Sequence, residues 1–247
     1  LTFKDVKFDT WEMTLDKMRR LLQAEYGRHS ELLESNAIQK YEKDYFLKIL
    51  ENKATEVDLT FSLENLSRML TEHYHQAPII IIDEYDTPFI EAKTGNFYQE
   101  IKGSLATLLR SSLKNSGDLK YAMLTGIQRV VKENILSDLN NLVVCDVTDQ
   151  RYASYFGFTN NETQELLEYY GLELNDEVKK MYDGYHIGNQ DIYNPWSLLN
   201  YADTQKLISF WVNTSANSMI KNALKQADYT FKNQYDKLIK ESKLDTY

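Results

Sequence analysis

The 247 residues suffice for one large domain or two small ones, and their formal charge of −9 opposes bulk attraction to nucleic acid while leaving a local basic patch open. Three prolines and nine glycines exclude a low-complexity or collagenous chain, and no apolar run reaches membrane-spanning length, so no membrane partner is expected. The single cysteine, Cys145, excludes an internal disulfide and fits a reducing, cytoplasmic compartment.

Leu1 to Val6 reads as the end of a strand. With no initiator Met, the chain reads as a fragment, so the lack of a signal peptide carries no information. Asp9 or Thr10 can cap a helix over Trp11–Tyr26, with Trp11, Leu15, Met18 and Leu22 on one face and Gly27 closing it. A second helix is expected from about Ala37 to Leu50, carrying Ile38, Tyr41, Tyr45, Phe46 and Ile49. Ser62 caps a third, with a stripe of Leu63, Leu66, Met69 and Leu70. His73 and His75 end it, and with no third ligand in sight they make a poor zinc site.

Pro78 then opens a run of four isoleucines, apolar on both faces of a strand, which predicts a strand buried on both sides in a parallel sheet. The run ends in Asp83-Glu84-Tyr85-Asp86-Thr87-Pro88, followed by a polar loop through Gly95. A helix is expected from Phe97 to about Lys114, stopped by Asn115-Ser116-Gly117. Tyr121–Gly126 and Leu142–Val147 read as two further strands, with Arg129 just after the first. Strands alternating with helices predict a three-layer α/β core over about residues 1–150.

From residue 151 to 247 the pattern changes to short helices, read as a mostly helical, lid-like subdomain. Thr159-Asn160-Asn161-Glu162 is a capping box, Gly171 a C-cap, and Asn175 caps a helix to Tyr182. Asp183-Gly184 and Gly188-Asn189 read as turns around Tyr185-His186-Ile187, with Ile192-Tyr193 pairing back as a short strand. Asn194-Pro195 opens a helix over Trp196–Tyr201, with Trp196 as a core anchor, and Phe210–Tyr247 reads as helical.

Adjacent acids where a buried strand emerges suit one chemistry. The first, Asp83, can hold a hydrated Mg²⁺ on nucleotide phosphates, and the second, Glu84, can orient the attacking water, which is the Walker B pattern. The competing reading makes them strand-ending acids, with Asp86 capping the next turn. A metal-dependent nuclease is a weaker candidate. Asp86 with Glu91-Ala92-Lys93 supplies its residue types, but the four residues between Asp86 and Glu91 leave no room for the return strand that site needs.

Several motifs in one order resemble a family of bacterial and archaeal AAA-ATPase-like proteins: Ile81–Pro88, Leu124–Ile127 with Arg129, Leu139–Leu142, Tyr155–Thr159, Tyr182–Tyr185 and Ile192–Ser197. The resemblance implies a P-loop NTPase core with Asp83 on Mg²⁺ and ATP, Glu84 as the catalytic base and Thr125 sensing the γ-phosphate. It also implies Asp86 near the cofactor, and Arg129 neutralising phosphate charge in cis or across subunits. In that family a P-loop precedes the first strand seen here, and a domain similar to the PD-(D/E)XK nucleases usually follows. No GxxxxGK[ST] occurs in these residues, so the core is expected to lack its first strand and phosphate loop. The resemblance thus implies an ATPase for the whole protein, with these residues inactive alone. A non-catalytic regulatory module keeping the fold is the alternative. The resemblance further implies that the sheet has lost an interior member, so that the Leu1, Ile80 and Met123 segments pair in parallel. The Val143 segment is then displaced or paired through a partner, and the open edge invites self-association.

Overall fold

Ile79–Ile82 forms strand β1 and Tyr121–Leu124 forms β2, paired in parallel with Ile79 opposite Tyr121 and Ile82 opposite Leu124. The computed structural model describes residues 1–114, 117–127 and 142–210, together with Asp228 and Lys232. On the other side of β1, Thr2 bridges Asp83 in parallel, through Phe3 N–H to the Asp83 carbonyl at 2.9 Å and Asp83 N–H to the Leu1 carbonyl at 3.0 Å. The expected parallel order of the Leu1, Ile80 and Met123 segments is therefore present. The chain is α/β with a small parallel sheet.

Two compact units divide it, Leu1–Leu142 and Val143–Tyr247. In the first unit, α1 (Trp11–Gly27) starts at Thr10, whose hydroxyl accepts the Met13 N–H at 3.4 Å. Its buried line is Thr14, Met18, Leu22 and Tyr26, the 3.6-residue spacing expected of a core-facing helix. Helix α2 (Lys40–Leu50) begins three residues later than the sequence pattern suggests, at a capping box of Gln39 and Glu42. A short α3 (Glu56–Thr60), capped by Thr55 and Asp58, went unread in the sequence, because five residues carry no periodic stripe. Helix α4 (Ser62–Tyr74) takes Ser62 as its first residue, and α6 (Tyr98–Leu113) buries Ile101, Leu105, Leu108 and Leu109. Ile82 lies in the same core, with Ile80 and Leu124 packed against it.

Three expectations are corrected here. The segment after Asp86 is a helix, α5 (Thr87–Thr94), rather than a polar loop; Pro88 fits its first turn, and Phe89 and Ala92, three apart, are buried together. The isoleucine strand is buried on one face only. Ile79 and Ile81 are 56% and 58% exposed, and their register partners Tyr121 and Met123 are exposed beside them. Among the described residues the helices cover the Ile80 and Ile82 side alone, so a third layer is not among them. Finally, Leu142–Val147 forms no strand: Val143 and Val147 are exposed, although Leu142 packs on the first unit's core. β-Branched residues favour a strand only where an edge receives them.

In the second unit, Thr159 and Glu162 complete the expected capping box of α7 (Asn160–Tyr169). Asn175 caps α8 (Asp176–Tyr182), accepting the Val178 N–H at 3.0 Å. Strands β3 (Asp183–Ile187) and β4 (Gln190–Tyr193) form an antiparallel hairpin. Its turn is Gly188-Asn189, where Gly188 takes φ +60°. Asp183-Gly184 is thus an irregular strand start rather than a turn, with the register slipping between Asp183 and Tyr185. Asn194 caps α9 (Pro195–Thr204), accepting the Ser197 N–H at 3.0 Å. Trp196 is 55% exposed and anchors no core, because the buried face of α9 is Ser197, Leu198, Tyr201 and Ala202. The Phe210–Tyr247 helix expected from sequence lies almost wholly outside the described residues. Among the described residues no helix is long and apolar enough to cross a membrane.

Glu42 joins two elements of the first unit. Its carboxylate is 2% exposed, accepts the Gln39 N–H at 3.0 Å and pairs with Arg68 on α4 at 2.9 Å. Glu42→Ala is expected to lower the unfolding free energy by about 2–3 kcal/mol, since it removes a cap and the charge partner of a half-buried guanidinium that keeps only its Asn65 hydrogen bond among the described residues. Urea unfolding of the variant measures this; a change below ~0.5 kcal/mol would show the pair to be idle.

Candidate functional site

Because β1 and β2 are parallel and end together, their last residues open onto one edge. The backbone ladder continues past the strands, with Thr125 N–H bonded to the Ile82 carbonyl at 2.9 Å and Tyr85 N–H to the Thr125 carbonyl at 3.0 Å. The Thr125 hydroxyl donates to Asp83 Oδ1 at 2.5 Å, and the Thr2 hydroxyl donates to Asp83 Oδ2 at 3.3 Å. Asp83 itself is exposed. An exposed carboxylate steadied by hydroxyls from both neighbouring segments can accept further donors at either oxygen.

Glu84 is half-buried and takes φ +52°, the left-handed region that non-glycine residues rarely adopt. That conformation turns the chain out of the strand. The turn closes by Thr87 N–H donating to the Glu84 carbonyl at 3.1 Å, and the Thr87 hydroxyl donates to Glu84 Oε2 at 3.1 Å. Asp86 is 1% exposed, and its Oδ2 accepts the Ile127 N–H at 2.9 Å. Asp86 precedes α5 without capping it by its side chain.

The structure therefore gathers Asp83, Glu84, Asp86 and Thr125 at one sheet edge, all expected from the sequence as site residues. Arg129 lies outside the described residues. Thr2 and Thr87 were missed; the signals available were Thr2's place in a neighbouring strand and Thr87's spacing of three from Glu84. Asp83 fits an outer-sphere hold on Mg²⁺, which keeps most of its waters and needs only one or two carboxylates. Among the described residues no three His, Cys, Asp or Glu are grouped to ligate a metal directly. In the second unit, His186 Nδ1 lies 2.7 Å from Asp191 on an exposed hairpin, and burial, then the Asp191 charge, raises the Asp183 carboxyl above its usual range.

The left-handed backbone at Glu84 costs stability. Glu84→Gly is expected to raise the unfolding free energy by about 0.5–1 kcal/mol, offset in part by the lost Thr87 contact. Urea denaturation decides it; a destabilised variant would mean that the side chain, rather than the backbone, sets the balance.

Comparisons with known proteins add the following. A family model described as "Predicted AAA-ATPase" matches residues 1–136. A curated relative from Azotobacter chroococcum mcd 1, described as "Uncharacterized protein in vnfD 5'region", is 28% identical over 149 residues. That alignment covers 59% of this chain and 28% of the relative. No solved structure matches the chain.

Proposed function

The chain belongs to the predicted AAA-ATPase family, and from that premise we propose that it carries the Walker B half of a Mg²⁺-dependent ATPase site. One observation carries the reading: Asp83 and Glu84 leave the carboxyl end of a parallel strand beside Thr125, whose hydroxyl reaches Asp83 at 2.5 Å. Ligands of open α/β sheets bind at that edge.

In this proposal the core over about residues 1–150 is P-loop NTPase-like, with 151–247 as a lid-like subdomain. Asp83 holds Mg²⁺ through water, and the ion when bound neutralises phosphate charge. Glu84 orients and polarises the attacking water, its free lone pairs remaining available while Thr87 steadies one oxygen. Thr125 reports phosphate occupancy to the Asp83 carboxylate. Arg129 neutralises developing charge. A nuclease-like domain in the same protein, a second copy of the chain and a cytoplasmic location belong to this proposal too. A regulatory module that keeps the fold without turnover is the second reading.

In the full-length protein, Glu84→Gln is expected to leave ATP binding intact and slow hydrolysis by roughly 100-fold or more. Unchanged turnover in that variant removes Glu84 from the mechanism, and absence of any Mg-ATP turnover in the parent favours the regulatory reading.

The 247 residues contain no GxxxxGK[ST], the loop whose backbone amides and lysine cradle the β- and γ-phosphates. They are expected to bind Mg-ATP no tighter than about 1 mM, near −4 kcal/mol. Calorimetry showing micromolar affinity would overturn this.

A further inference from the structure

An aspartate just before a helix ordinarily caps it. Asp86 sits at that position before α5, yet its side chain makes no cap. The local turn is satisfied otherwise, by Thr87 N–H on the Glu84 carbonyl, and Pro88 has no N–H to satisfy. The Asp86 carboxylate instead reaches 41 residues along the chain to the Ile127 N–H.

Gly126 is shaped to that carboxylate. A Cβ there would lie 2.5 Å from Asp86 Oδ1, 2.8 Å from its Cγ and 2.9 Å from a Tyr85 ring carbon. Such distances are below real carbon contacts, so the segment leaving β2 rests directly on the Asp86 and Tyr85 side chains. Three bonds then run in sequence between the two strand exits: Thr125 N–H to Ile82, Tyr85 N–H to Thr125, and Ile127 N–H to Asp86. The first two are backbone pairs. The third is a side chain extending the same ladder by one step, at a point where the chain after Glu84 has already left the strand.

We infer that Asp86 is a positioning residue of the Asp83–Thr125 edge: its buried carboxylate ties the segment after β2 to the turn after β1 and so keeps the Thr125 hydroxyl on Asp83. The role rests on the proposed Walker B reading for its catalytic consequence. The latch itself does not depend on that reading. Asp86 thereby acts through Thr125 and Asp83.

The test uses hydrogen exchange of the Ile127 amide in the full chain without nucleotide, resolved by fragmentation mass spectrometry. Asp86→Ala is expected to speed that exchange roughly tenfold while leaving the α6 core amides unchanged; Asp86→Asn, which keeps an acceptor oxygen, changes it less than about threefold. Gly126→Ala, which displaces the carboxylate without removing it, also speeds it and serves where Asp86→Ala does not fold. Unaltered Ile127 exchange in Asp86→Ala, or in Gly126→Ala where the first variant is unfolded, overturns the latch. For Mg-ATP turnover by the full-length protein, Asp86→Ala is expected to lower kcat about tenfold with KM little changed, and Asp86→Asn to restore it. Equal loss in both variants, with KM raised, overturns the positioning role in favour of direct nucleotide contact. If the parent hydrolyses no ATP, the Walker B reading fails while the exchange measurement still decides the latch.

Discussion

The register of β1 against β2 is the constraint on which the site depends. Parallel strands paired residue for residue, Ile79 with Tyr121 through Ile82 with Leu124, finish at the same level. Their next residues, Asp83 and Thr125, are then neighbours by geometry alone, and the Thr125 hydroxyl reaches Asp83 without any special loop. A slip of one residue would exchange the faces of β2 and carry Thr125 to the other side of the sheet. Ile82 and Leu124 resist that slip: Ile82 is fully buried in the helical core and Leu124 packs against it. Core packing therefore fixes a polar pair that contributes little to stability itself, being exposed.

How much of this could be read beforehand follows from how local each cause is. Capping depends on three or four adjacent residues, so Thr159 with Glu162, Asn175 and Asn194 were legible as helix starts. The isoleucine run was legible as a parallel strand for a similar reason. Its exposure was not, since a run apolar on both faces records what the strand tolerates and says nothing of which face the described helices cover. Trp196 shows the same limit: the phase of α9 follows from Asn194, but the side its neighbours occupy does not. Asp83, Glu84 and Thr125 were legible as site residues because a strand end announces itself. The Asp86 contact with Ile127 spans 41 residues, and no local pattern encodes it. Helix α5 was missed because Pro88 and Gly95 outweighed the buried pair Phe89 and Ala92 in a short window.

Three acids fall within four residues here, yet they occupy three environments, and Glu84 is the cause. Alternation along β1 leaves Ile81 exposed, Ile82 buried and Asp83 exposed. Had the strand continued, Glu84 would point inward and Tyr85 outward. At φ +52° Glu84 ends the alternation: it is half-buried, Tyr85 turns in to 8% exposure and Asp86 to 1%. A glycine would make the same turn with less strain. The chain instead holds a carboxylate in a conformation costing about 1 kcal/mol, braced by the Thr87 hydroxyl and N–H. Strain retained where an easier residue would serve the backbone points to the side chain as the reason for the position. The side chain so held is the one beside the Asp83–Thr125 edge.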